Sequence, residues 1–293
     1  MKHIRVILGS LVVVFLFLVP ADSSAQVMKV FISVDMEGIT GVVNWEDVDR
    51  TGKDYDYFRK IMSKEANAAV EGAIAAGATE IIVRDSHGSA RNILPDLLDQ
   101  KAKLIRDWSG GPKGMMEGID DSFAAAIFIG YHAKAGTPDA LLDHTSSGSV
   151  IDFSINGISM PEAGYNALIA GSYGVPVVFV AGDKALCEQA KALFAPLETV
   201  AVKEGIGTAA LSVHPEVAHS RIRAGVEKAL RNVKSAKPYV IPPPYTLVLK
   251  LKDDAQVNRG SHYPGAKQTG EWELTYEAKD IIELLTAFSM MRR

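Results

Sequence analysis

Cysteine is nearly missing from this chain: Cys187 is the only one among 293 residues. An internal disulfide is therefore impossible. Cys187 sits in an alanine-rich helical stretch and reads as a small buried hydrophobe. Basic excess is also lacking, with 31 Lys and Arg against 35 Asp and Glu and a net charge of −4. That balance argues against nucleic acid or anionic lipid as a partner. Beyond the N-terminus no apolar run reaches the roughly 20 residues that span a bilayer. Internal repeats are absent. Gly205-Ile206-Gly207 is too short and too late for a dinucleotide fingerprint. Ser146-Ser147 lies in no nucleophile-elbow pattern, which removes support for a serine mechanism.

The N-terminus has the form of an export signal. Lys2 and Arg5 precede an apolar run from Val6 to Val19, then Pro20 and a polar stretch ending in Ser23-Ser24-Ala25. Residues 1–25 are expected to be a signal peptide cut after Ala25, and the alternative is an uncleaved anchor. No cysteine lies near the cleavage point, which removes the lipoprotein reading. Losing Lys2, Arg5 and Asp22 leaves the mature chain slightly more acidic. The expected product is exported, periplasmic or secreted, with no stable membrane span after signal removal.

Hydrophobic periodicity assigns a strand to 28–34, a long helix to 54–76 and a second strand to 79–83, which together make a right-handed βαβ unit. The pattern recurs with strands over 103–105, 125–130, 175–181 and 199–202 and helices over 162–173, 183–194 and 214–233. The expected fold is α/β, a three-layer α/β/α arrangement on a mostly parallel sheet spanning 26–240. After Pro242-Pro243-Pro244 come alternating strands at 245–251 and 271–276 and a helix over 279–291. Residues 241–293 are thus expected to form a smaller α+β portion packed on the catalytic domain.

Chemistry-bearing residues follow the strands. Asp35 and Glu37 leave the first, and residues two apart in an extended chain project from one face. Two neighbouring carboxylates in a partly buried place are costly unless a cation separates them. Asp85-Ser86-His87 follows the second strand and Tyr131-His132 follows 125–130. Sites in open parallel sheets form outside the carboxyl ends of strands, where these residues gather. Glu162, after Pro161, opens a helix whose positive end favours a carboxylate. Each residue alone has a bland reading as a cap or a solvated loop residue, but their joint occurrence points to a metal. Two imidazoles and three carboxylates suit a pair of divalent ions, with Asp35 as the natural bridge. Zinc is the first choice, while manganese or cobalt would tolerate the same ligands. Such a centre activates water for attack on a polarised carbonyl. Asp85 is expected to support His87 rather than to ligate. His144, in a following loop, is expected to shuttle a proton or stabilise the transition state. His214, His219 and His262 lack this context and read as structural or exposed.

Taken in order, Ser33-Val34-Asp35-Met36-Glu37-Gly38, Asp85-Ser86-His87, Gly130-Tyr131-His132-Ala133, the loop with His144, and Glu162-Ala163-Gly164-Tyr165-Asn166-Ala167 resemble the D-aminopeptidase (DppA-type) family of dinuclear zinc peptidases. The resemblance extends over the mature chain, through Val180-Ala181-Gly182-Asp183 and Tyr276-Glu277-Ala278-Lys279-Asp280. It implies release of N-terminal D-amino acids, such as D-Ala, from short peptides. It also implies Asp35, Glu37, His87, His132 and Glu162 as ligands of two ions, with Asp35 shared, and His144 as the catalytic histidine. A homo-oligomeric ring, with a decamer as one size, is implied as well. The export signal departs from the family's usual form and leaves the natural peptide open. The rival expectations are an amidase or esterase on the same centre and a non-catalytic periplasmic binder of metal or peptide.

Overall fold

The computed structural model describes residues 28–293, and the expected signal peptide lies outside the described residues. Strand β1 (Lys29–Val34) is buried on both faces, as a central parallel strand must be. A single helical turn, α1 (Trp45–Val48), precedes α2 (Tyr55–Ala75), which stops at Gly77 with φ +94°. Then follow β2 (Glu80–Asp85), β3 (Ala102–Ile105), β4 (Ala125–Tyr131), β5 (Val150–Ile155), β6 (Ile158–Ser159) and α3 (Glu162–Ser172). Next come β7 (Val177–Asp183), α4 (Lys184–Phe194), β8 (Glu198–Ile206), β9 (Ala209–Ser212) and α5 (Pro215–Arg231). The last part holds β10 (Tyr245–Leu251), α6 (Asp254–Ser261), β11 (Lys267–Gly270), β12 (Glu273–Ala278) and α7 (Ile281–Met291).

The main sheet has the order β3-β2-β1-β4-β7-β8-β9 and is parallel except for β9, which runs antiparallel to β8. Val30, Ile32, Val34, Ile127 and Ile129 face the apolar sides of α2 and α5 in one core. Phe31, Phe128 and Val180 face the other way, into a core shared with α3, α4 and α7. Helices on both faces of a mostly parallel sheet give the expected α/β class. The order turns back between β1 and β4, and this topological switch opens a crevice at their carboxyl ends.

A second, antiparallel sheet has the order β11-β12-β10-β5-β6. It is not confined to 241–293, because β5 and β6 come from the middle of the chain and β5 pairs with β10. Strand β5 was not among the expected strands although Ile151, Phe153 and Ile155 alternate with Asp152 and Ser154, a period-two signal, and β10 supplies the pairing that fixes it. The one-turn α1 also went unanticipated. Its signal is local: Asn44 and Asp47 form a reciprocal capping box.

Two glycines let β1 and β4 close on each other at the crevice. Asp35 and Gly38 donate their amides to the carbonyls of Ile129 and Gly130, at 2.8 and 2.7 Å. A Cβ on Gly38 would lie 1.8 Å from the Tyr131 carbonyl oxygen. One on Gly130, where φ is +69°, would lie 2.2 Å from the Asp35 carbonyl oxygen. Gly38→Ala is therefore expected to destabilise the protein by about 3 kcal/mol or more, at or above the upper range of overpacking. Urea unfolding checks this, and a loss below about 1 kcal/mol would contradict it.

Candidate metal centre

Each of the six residues singled out in the sequence stands on a loop or helix start that meets the crevice. Asp35 Oδ1 accepts the Met36 amide at 2.9 Å, which fixes the carboxylate just past β1. Glu37 follows on the same loop. His87 comes two residues after β2 on a turn shaped by Asp85. That carboxylate accepts from the Asn92 amide (2.6 Å), the Ile93 amide (2.7 Å) and Asn92 Nδ2 (2.8 Å). Asn92 Nδ2 also donates to the His87 carbonyl at 2.7 Å. Asp85 thus builds the turn that carries His87 and does not touch the imidazole. His132 follows β4, where Asp183 accepts the Ala133 amide at 3.0 Å and also caps α4 through Leu186. Glu162 is the first residue of α3 and accepts the Ser146 amide at 2.6 Å. His144 stacks on His132 with ring centroids 4.1 Å apart and meets the edge of Trp45 at 5.3 Å.

All three imidazoles are tethered by a backbone carbonyl on one nitrogen, which leaves the other for the crevice. His132 Nδ1 donates to the Ala133 carbonyl (2.9 Å), His144 Nδ1 to the Leu142 carbonyl (2.8 Å) and His87 Nε2 to the Val48 carbonyl (3.0 Å). These tautomers are assigned from the hydrogen-bond network. The inner nitrogens face carboxylates. His87 Nδ1 lies 2.9 Å from Glu37 and 3.3 Å from Asp35. His132 Nε2 lies 3.6 Å from Asp35 and 3.7 Å from Glu162, and His144 Nε2 lies 3.8 Å from Glu37 and 3.6 Å from Glu162. His132 Nε2 is fully buried with no hydrogen-bond partner. Without a metal a proton fills this role at His87: burial opposes its charge, but the Glu37 and Asp35 charges raise it well above its ordinary value, and a divalent cation would take that proton's place. Two ligand atoms each about 2.0–2.1 Å from a tetrahedral zinc stand about 3.3 Å apart, close to the spacings observed. The carbonyl tethers are the outer partners that metal-bound histidines normally have.

The ligand atoms fall into overlapping triads within 4.8 Å: Asp35, Glu37 and His87; Asp35, His132 and Glu162; and Glu37, His132 and His144. The first two share Asp35, so the donor set fits two divalent ions. Electrostatics agree. Burial, then the nearby Glu37 and Glu162 charges, push the Asp35 carboxyl well above its ordinary range. Burial opposes ionisation of Glu37 too, but the three imidazoles outweigh it and hold Glu37 well below. Burial and His144 lower His132, whereas Glu162 and Glu37 overcome burial and raise His144.

Other residues that hold the site went unread in the sequence. Lys203, on β8 and 2% exposed, donates to the carbonyls of Glu37 and Val42. Burial lowers its pKa to about 8. Glu65, on α2, accepts the Thr40 amide at 2.9 Å, and burial raises it to about 7. Both pin the loop that carries Asp35 and Glu37. The available signal was a glutamate on the apolar face of α2, at helical spacing from Ile61, Met62, Ala68 and Ala69. His214 caps α5 and His262 closes α6, away from the cluster. A cavity of about 370 Å³ opens from Asp35, Glu37, His144 and Glu162 to the 108–114 loop and the end of α7.

A carboxylate–imidazole cluster at the switch point of a parallel sheet defines an α/β metalloenzyme. The D-aminopeptidase profile, peptidase family M55, matches residues 28–290, and the chain belongs to that family. It is 36% identical over 268 residues to a D-aminopeptidase of Bacillus subtilis, covering 90% of this chain and 96% of that one. In structure it is similar to the zinc-dependent D-aminopeptidase DppA of Bacillus subtilis, described as a self-compartmentalizing protease. That match has a TM-score of 0.87 and 35% identity, over 90% of this chain and 96% of the other.

Proposed function

We propose that this chain is a metal-dependent aminopeptidase that releases N-terminal D-amino acids from short peptides, with two zinc ions as the first choice of metal. The observation that carries the reading is the pair of triads joined at Asp35 in a member of the D-aminopeptidase family. Asp35, Glu37 and His87 would hold one ion and Asp35, His132 and Glu162 the other. When bound, the ions supply a polarised scissile carbonyl and a water acidic enough to ionise near neutral pH.

The chain's own residues do the rest. Hydrolysis adds water to the carbonyl carbon, breaks the C–N bond and needs a proton on the leaving amine. His144 is placed for that transfer: Nδ1 is tied to the Leu142 carbonyl and Nε2 looks between Glu37 and Glu162. Stacking on His132 and contact with Trp45 hold the ring in that orientation. The same Nε2, when protonated, stabilises charge on the carbonyl oxygen. Assembly into a homo-oligomer belongs to the same reading, supported by the self-compartmentalizing relative. So does export to the periplasm or medium, supported by the N-terminal pattern of Lys2, Arg5 and the 6–19 run.

The test is a panel of D- and L-aminoacyl dipeptides with free and acetylated N-termini. The free D-peptides are expected to be cleaved, with activity lost to a chelator and restored by zinc. Equal turnover of acetylated peptides would point to an amidase instead. No turnover by zinc-loaded protein would leave the binding-protein reading.

A further inference from the structure

The cavity has two chemically opposite parts. One is the cluster of Asp35, Glu37 and Glu162, and another is the C-terminal end of α7, where Arg292 lines the same space. An aminopeptidase substrate of two or three residues is itself bipolar, with an ammonium at one end and a carboxylate at the other. We propose that Arg292 binds the C-terminal carboxylate of the peptide, which makes the enzyme selective for very short peptides that end in a free acid. This rests on the aminopeptidase reading and adds the group that recognises the far end of the substrate.

Three observations select Arg292. Its side chain is half-buried along the cavity and, among the described residues, enters no ion pair within 4.0 Å. A guanidinium without an ion pair beside a cavity is suited to a carboxylate, which it can meet with charge-assisted, bidentate bonds. Its guanidinium is also supported by the chain, with Cζ 5.5 Å from the Phe288 ring centroid on the preceding turn of α7. Finally, the other cations of the cavity are less suited. Lys113 Nζ already donates to the Ile119 carbonyl at 3.0 Å and lies 3.9 Å from Glu117, and Arg293 is exposed. A volume of about 370 Å³ sits at the small end of ligand sites and accommodates a dipeptide or tripeptide.

The test compares D-alanyl-D-alanine with its C-terminal amide on the zinc-loaded full chain, on Arg292→Gln and on Arg292→Lys. The parent is expected to favour the acid by about tenfold or more in kcat/KM, mainly through KM. Arg292→Gln is expected to shrink the acid-to-amide ratio by about tenfold, with the KM for the acid moving more than kcat. Arg292→Lys is expected to keep part of the preference. Equal turnover of acid and amide by the parent would overturn the proposal, as would an Arg292→Gln variant whose ratio matches the parent's. If Arg292→Gln fails to fold, the parent ratio and the Arg292→Lys ratio still decide. Turnover of neither compound would defeat the peptidase reading together with this one, whereas equal turnover defeats this one alone.

Discussion

Asp35→Asn is expected to abolish activity, lowering kcat/KM by well over a hundredfold, and to lower bound metal from two ions per chain to one or none. The estimate is a floor, since losing only an outer partner of a metal ligand costs about 10–100-fold. Asp35 takes part in two of the three triads, so its loss weakens both ion positions at once. The variant should still fold, because the amide keeps the shape and its oxygen still accepts the Met36 amide. Stability gives a second readout with a distinct sign. Without metal, Asp35, Glu37 and Glu162 crowd one another, and burial adds to the cost of ionising Asp35. Removing that charge is expected to leave the chelated variant melting at or above the chelated parent. With zinc present the order reverses, because the parent gains more binding energy in the folded state. An Asp35→Asn protein that kept two ions and parental activity would refute the bridging role.

His144→Ala is expected to act differently, lowering kcat by about 10²–10⁴-fold, the usual range for losing a positioned acid–base group. Metal content should fall little, since His87, His132 and the three carboxylates remain. The contrast between the two variants separates ligand from proton carrier. His144 also belongs to the third triad, with Glu37 and His132. Loss of an ion on His144→Ala would therefore move it into the ligand set, while unchanged kcat would remove it from the mechanism. Metal analysis beside steady-state kinetics reads both outcomes.

Much of this was legible in the sequence because the site is built at strand ends. Strand β1 runs apolar to Val34 and then turns polar, so Asp35 and Glu37 announce themselves, and β2 and β4 repeat the device before His87 and His132. The sequence order of such residues predicts their meeting, because parallel strands bring their carboxyl ends to one edge. Glu162 was readable from Pro161 and the helix that follows. What stayed hidden depends on partners distant in sequence. Lys203 looks like an ordinary polar strand residue until the loop after β1 is seen to rest on it through the Glu37 and Val42 carbonyls. Asp85 was expected to support His87, and its three bonds to Asn92 and Ile93 show that it does so by holding the turn that carries the ring. Strand β5 was missed although Ile151, Phe153 and Ile155 alternate with Asp152 and Ser154; it is short, and its pairing partner β10 lies nearly a hundred residues later.

The most direct measurement is anomalous diffraction from crystals of the full chain loaded with zinc. Two peaks are expected about 3.5–4 Å apart, the usual spacing of paired catalytic ions, with the Asp35 carboxylate between them. One peak should contact Glu37 and His87 and the other His132 and Glu162. A single peak, or none within reach of Asp35, would contradict the dinuclear centre on which the proposed hydrolysis depends.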